Sequence, residues 1–166
     1  MSSQGTPAID ALRRADVRFE VFAYDAPESH GRDRDERPSY GIEAAEALGI
    51  DPARMFKSLI ATADGRLVIA LVPVDRELDL KRLAVAAGAR KAALADPAAA
   101  ERATGYVVGG ISPLGGRRAL PTFIDVSADA HRTVYISAGR RGLQLGLAPD
   151  DLVHLTAATL VAIARP

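Results

Sequence analysis

The chain of 166 residues contains no cysteine. This excludes disulfides, thiolate metal sites and a cysteine nucleophile supplied by the protein. Histidine is scarce: His30, His131 and His154 stand far apart and form no ligand motif, so no metal is expected. No Gly-x-Ser-x-Gly elbow occurs, and no histidine is placed by sequence beside Ser112 or Ser137, which disfavours a serine hydrolase. Charge of one sign is also missing. The 21 Lys and Arg balance 21 Asp and Glu, for a formal net charge of zero. Strong binding along a nucleic-acid backbone needs clustered positive charge, so a DNA-binding protein is not expected. Recognition of a single nucleotide end remains open. Apolar runs fall far short of the ~20 residues that cross a bilayer. The polar start shows no basic region followed by an apolar core. The expectation is a cytoplasmic protein without membrane contact.

What is present is ordinary for a soluble globular chain: 48% apolar and 25% charged residues. The length predicts one domain over 1–166, burying roughly 70% of its unfolded surface. Thr6-Pro7 reads as a cap followed by a first helical residue, with a short amphipathic helix to about Ala15. Residues 19–24 read as a strand. Residues 28–39 alternate in charge from Arg32 to Arg37 and carry no apolar anchor, which predicts a charged loop insertion. A helix with Ile42, Ala45 and Leu48 on one side ends at Gly49. Two apolar runs, 56–63 and 67–72, flank Asp64-Gly65, a strong hairpin signal. Asp79 and Asp96-Pro97 start two further helices, ending near Gly88 and Gly105. Strands are predicted at 106–108, 122–126, 133–137, 143–147 and 160–164, with a helix at 149–155. Hairpins and meanders, rather than regular βαβ alternation, predict an α/β fold of the α+β type: a mixed, curled, barrel-like sheet with peripheral helices.

Three segments invite chemistry. Strand alternation puts Lys57 on the same side as Leu59, Ala61 and Ala63. An ammonium on an apolar face is costly unless paired. The cation would suit a phosphate or a developing oxyanion; the alternative is an edge-strand lysine that blocks aggregation. The segment 105–116 is dense in glycine, so its backbone either turns sharply or approaches a ligand. Gly109 and Gly110 could present bare amides to a carbonyl or phosphate oxygen, with Pro113 stiffening the loop. The third segment, 135–143, carries Ser137 at a strand end followed by Gly139, Arg140, Arg141 and Gly142. It suits an anion or a ribose, or is a solvated turn.

Together these segments resemble the YbaK/EbsC family of aminoacyl-tRNA editing domains, within it the Cys-tRNA(Pro) deacylase branch. The resemblance runs from about Thr6 to Ala164. It is carried by Thr6-Pro7-Ala8, Phe56-Lys57-Ser58-Leu59, Leu78-Asp79-Leu80-Lys81 and Ala95-Asp96-Pro97, by the run from Thr104 to Gly115, and by the run from Tyr135 to Leu143. It implies the curled mixed sheet. It also implies hydrolysis of the ester between a wrong amino acid and the 3′ end of tRNA, alone or beside prolyl-tRNA synthetase, with no cofactor. A pocket separates small apolar side chains by only ~1–3 kcal/mol, which makes a second, editing site physically reasonable. By resemblance, Lys57 stands at the family's essential lysine, and Gly109 and Pro113 at its Gly-x-x-x-Pro element. Tyr24, Ser58, Gly110 and Ser137 stand at pocket-lining positions. In the cysteine-specific branch the substrate thiol attacks its own ester, so the protein supplies orientation and oxyanion stabilisation. Ser58 replaces a common threonine, and Gln144 an aspartate found in some relatives. Readings from other classes are a non-catalytic module that binds an aminoacyl or nucleotide ligand, and an adaptor that docks on a synthetase.

Overall fold

The computed structural model describes residues 5–26 and 40–166; the charged stretch 28–39 lies outside them. The elements run α1 (Pro7–Ala15), β1 (Phe19–Ala23), α2 (Tyr40–Leu48), a 3-10 turn (Pro52–Arg54), β2 (Phe56–Ala63), β3 (Arg66–Pro73), α3 (Leu80–Ala86) and β4 (Ala92–Leu94). Then come α4 (Pro97–Thr104), β5 (Thr122–Asp125), a second 3-10 turn (Val126–Ala130), β6 (Val134–Ser137), β7 (Leu143–Leu147), α5 (Pro149–Thr156) and β8 (Thr159–Val161).

Local chemistry sets most of these boundaries. Thr6 Oγ1 accepts the Ile9 amide at 3.1 Å, with Pro7 at the first helical position. The same hydroxyl donates to the Ala138 carbonyl at 2.5 Å, tying α1 to the β6–β7 connection. Asp79 caps α3 and Asp96 caps α4 in the same way. Asp64 and Gly65 both have positive φ, 48° and 81°, as the two-residue turn between β2 and β3 requires.

The strands form two sheets, β4-β2-β3-β5-β8 and β1-β7-β6. A parallel bridge between Met55 and Tyr135 joins them. The sheet is mixed, as expected, but is a joined pair that does not close into a barrel among the described residues. Its parallel ladders, β3 with β5 and β5 with β8, depart from the expected meander. Long crossovers deliver those strands: α3, β4 and α4 between β3 and β5, and the second 3-10 turn, β6, β7 and α5 between β5 and β8. The expected strand at 106–108 is instead a loop. Tyr106 is held by its own hydrogen bonds, and Val107 and Val108 are exposed with no strand beside them. The final strand is shorter than predicted, with Ala164 making only an isolated bridge to Leu78.

The β2–β3 hairpin separates two parts of the core. On one face Phe56, Ile60, Ile69 and Leu71 pack with Ile9 and Leu12 of α1 and with Ile136, Leu143 and Leu145. On the other, Ala61, Val68 and Val72 pack with Leu83 and Ile163. At the end of the hairpin nearest β6, Ala44 and Ala45 of α2 cover Met55 and Val74.

Candidate functional site

The glycine segment is a loop pinched shut at its base. The amides of Arg117 and Arg118 donate to the Thr104 and Ala103 carbonyls at 2.9 and 3.1 Å, so the chain leaves α4 and returns to its end. Gly105, at φ 79°, ends α4 by donating to the Glu101 carbonyl. Inside the loop the Tyr106 hydroxyl donates to the Leu114 carbonyl at 2.6 Å. Burial pushes that phenol up to about 12, so it stays a donor at any physiological pH.

At the tip the Gly110 amide donates to the Val107 carbonyl at 2.9 Å, closing a four-residue turn. Gly109, its third residue, has φ +94°, a conformation such a turn gives to glycine. A Cβ on Gly109 would lie 3.1 Å from the Tyr40 ring, and one on Gly110 would lie 2.7 Å from the Arg140 backbone. The tip therefore touches the start of α2 and the β6–β7 connection at once. Gly110 owes its identity to this close approach. Its amide is spent within the turn, so the expected pair of bare amides reduces to that of Gly109, which has no protein acceptor among the described residues.

Tyr24 and Ser137 adjoin the same connection. The Tyr24 amide donates to the Gly142 carbonyl at 3.0 Å, and Ser137 Oγ accepts the Gly139 amide at 3.2 Å. Arg141, in the segment that suits an anion, a ribose or a solvated turn, is engaged. Its guanidinium lies 4.5 Å from the Tyr40 ring centroid and 3.4 Å from Glu43 Oε2. Tyr40 and Glu43 were not legible as site residues. The one available signal was an aromatic residue beside glycine, Tyr40-Gly41, directly after the charged stretch.

Lys57 pairs in register with Val72, on the sheet face that continues to Met55 and Val74. Gly41 lies so close to Val74 that a Cβ would collide with its side chain, so the first turn of α2 rests on that same face. A chain of contacts thus runs from Val74 through Gly41 and Tyr40 to Gly109. The Lys57 ammonium forms no ion pair among the described residues. Partial burial holds its pKa below the ordinary 10.5, while the charges of Glu77 and Asp75 pull the other way. Ser58 points to the opposite face, and its buried hydroxyl has no hydrogen-bond partner. Pro113 is on the far limb of the loop. With Ala11, Thr104 and Thr122 it lines a separate cavity of about 220 Å³. Tyr24, Gly110 and Ser137 therefore adjoin the β6–β7 connection together with Gly109, while Lys57 and Ser58 project to opposite faces of β2 and Pro113 lines the separate cavity.

A Gly109→Ala substitution tests how tightly the tip is built. The left-handed backbone alone costs about 1–2 kcal/mol. Gly49, at φ +66° with nothing within 4 Å, supplies the control. In thermal unfolding, Gly109→Ala is expected to cost more than Gly49→Ala. The excess should vanish in a Tyr40→Ala background.

Comparison with known proteins points in one direction. A profile of the aminoacyl-tRNA editing domain matches residues 37–155. EbsC of Enterococcus faecalis, assigned as a Cys-tRNA(Pro)/Cys-tRNA(Cys) deacylase, is 40% identical over 113 residues, which cover 68% of this chain and 69% of that protein. Proline–tRNA ligase of Moorella thermoacetica is 36% identical over 103 residues, 62% of this chain and 18% of the ligase. A crystal structure described as a trans-editing enzyme for prolyl tRNA synthetase shares the fold, with a TM-score of 0.82 at 23% identity over 100% of this chain and 99% of that one.

Proposed function

The chain belongs to the aminoacyl-tRNA editing domain family, and from that membership we propose that it deacylates mischarged tRNA in trans, removing cysteine from tRNA(Pro). The observation that carries the reading is Lys57: a partly buried, unpaired cation on the sheet face where α2 and the glycine-loop tip meet. A cation in that state is stabilised by an anionic ligand or by developing negative charge.

In the proposed reaction the substrate's thiol sulfur bonds to its own ester carbonyl carbon. The bond from that carbon to the ribose oxygen breaks, and the thiol proton ends on the released hydroxyl. Water later opens the cyclic thioester. The protein contributes no nucleophile, in keeping with a chain that has no cysteine. Lys57 and the Gly109 amide orient the aminoacyl-adenosine and stabilise the oxyanion. Tyr24 and Ser137, at the β6–β7 connection, line the pocket, whereas Ser58 lies on the opposite face of β2 from Lys57. The homologous segment within proline–tRNA ligase supports a working association with that synthetase.

The test is loss of label from Cys-tRNA(Pro), Ala-tRNA(Pro) and Pro-tRNA(Pro) in parallel. Rapid loss of cysteine with alanine and proline retained is expected. Loss of alanine would reassign the amino acid, and saturable binding without loss of any would make the chain a binding module.

A further inference from the structure

The neutral net charge hides a local asymmetry. Arg117 and Arg118 close the base of the glycine loop, and Arg102 stands one turn back on α4. All three are exposed, and none pairs with a carboxylate among the described residues. Arg102 and Arg118 wall a groove floored by Leu67, Ala99 and Ala103. Arg117 lies over Gly105, with its Nε 3.7 Å from where a Cβ would be. Two unpaired guanidiniums line one groove and a third belongs to the adjoining residue, Arg117, so their like charges repel, a cost that an anion removes.

We infer that this groove is the docking surface for backbone phosphates of the tRNA 3′ arm; the inference rests on the deacylase reading. The loop itself supplies the geometry. Its tip carries Gly109 and its base carries the arginines, and the limb from Gly110 to Gly116 reaches at most ~20 Å even fully extended. Phosphates of a stacked strand follow one another every ~3.4 Å along its axis, so several of them upstream of a ribose held at the tip fall within that reach. Planar guanidiniums suit phosphate oxygens. The apolar floor accommodates the adjoining sugar without a sequence-specific contact.

The experiment compares wild type with Arg102→Gln/Arg118→Gln on two substrates: full Cys-tRNA(Pro) and 3′-cysteinyl-adenosine, which has no phosphate. The variant is expected to raise KM about tenfold on the tRNA, leave kcat/KM on cysteinyl-adenosine unchanged, and flatten the salt dependence of tRNA binding by about 1–2 in the log–log slope. Unchanged kinetics on tRNA would overturn the inference, as would equal losses on both substrates. If wild type cleaves neither substrate, the deacylase reading fails on its own. Binding of uncharged tRNA at low salt then decides the patch: weaker binding by the variant upholds it, and equal binding overturns it.

Discussion

Lys57→Ala is expected to reduce deacylation of Cys-tRNA(Pro) by at least ~10²-fold, the usual effect of removing one group that stabilises an oxyanion. The fold is expected to survive, because the ammonium has no protein partner to leave stranded. Its removal also relieves the cost of desolvating a cation. Burial lowers the lysine's pKa in the native state below 10.5. The folded protein therefore releases this proton first, and the group's stability penalty is fully present at neutral pH. The penalty is relieved as pH rises from the depressed value through 10.5. Lys57→Met, which keeps the apolar stem, should match or exceed wild type in urea denaturation at pH 7 and lose that alkaline gain. A variant that is inactive and also unfolded would instead make Lys57 a structural residue. Full activity in Lys57→Ala would remove it from the site altogether.

The second large effect concerns stability. Asp125, buried at the end of β5, accepts the amides of Ile163 and Ala164 on one carboxylate oxygen, at 3.0 and 2.9 Å, and that of Ser127 on the other at 3.1 Å. Arg76 approaches to 3.9 Å and also donates to the Arg165 carbonyl at 2.8 Å. One side chain thus fastens the chain after β8 to β5, the strand next to it in the sheet. Asp125→Ala strands those amides, at about 1–3 kcal/mol for each that stays buried, and the total loss is expected to be about 3–5 kcal/mol. Burial by itself would raise this carboxyl's pKa, but the hydrogen bonds from Ser127, Ala164 and Ile163 outweigh it and leave the pKa below 3.8. The stabilisation is therefore present above 3.8 and lost as pH falls through the depressed native value. Chemical denaturation across the acid range should show a flatter pH dependence in Asp125→Asn than in wild type. Equal slopes would mean that the carboxylate charge contributes nothing.

Elements with their own local chemistry were legible in the sequence. The caps at Thr6, Asp79 and Asp96 and the turn at Asp64-Gly65 act within a few residues, so pattern and propensity suffice. β4 was not legible. Ala92–Leu94 has helical composition and becomes a strand through pairing with Ala61–Ala63 of β2, while the Asp64 carboxylate holds the preceding amides of Arg90 and Lys91. The parallel neighbours of β5 depend on contacts remote in sequence, which no local period reveals. At the candidate site the sequence marked the glycine tip and Lys57 but not what packs against them. The contact of Tyr40 with Gly109, and the use of Arg141 by Glu43 and Tyr40, exist only once α2 lies beside the β6–β7 connection. The charge balance likewise concealed the two arginines, Arg102 and Arg118, that the fold brings to one groove.

The pinch between Thr104 and the Arg117 amide has a consequence for how such a scaffold diversifies. The loop is closed at its root and anchored along its length, because Tyr106, Ile111 and Leu114 enter the main core and Gly110 and Gly115 abut the backbone of Arg140 and Pro7. Variation is therefore confined to the exposed positions between those anchors, such as Val107 and Val108, where new selectivities can be explored without touching heritable stability. Chimeras that swap residues 105–116 between relatives should therefore fold only where the donor keeps Tyr106, Gly110, Ile111, Leu114 and Gly115.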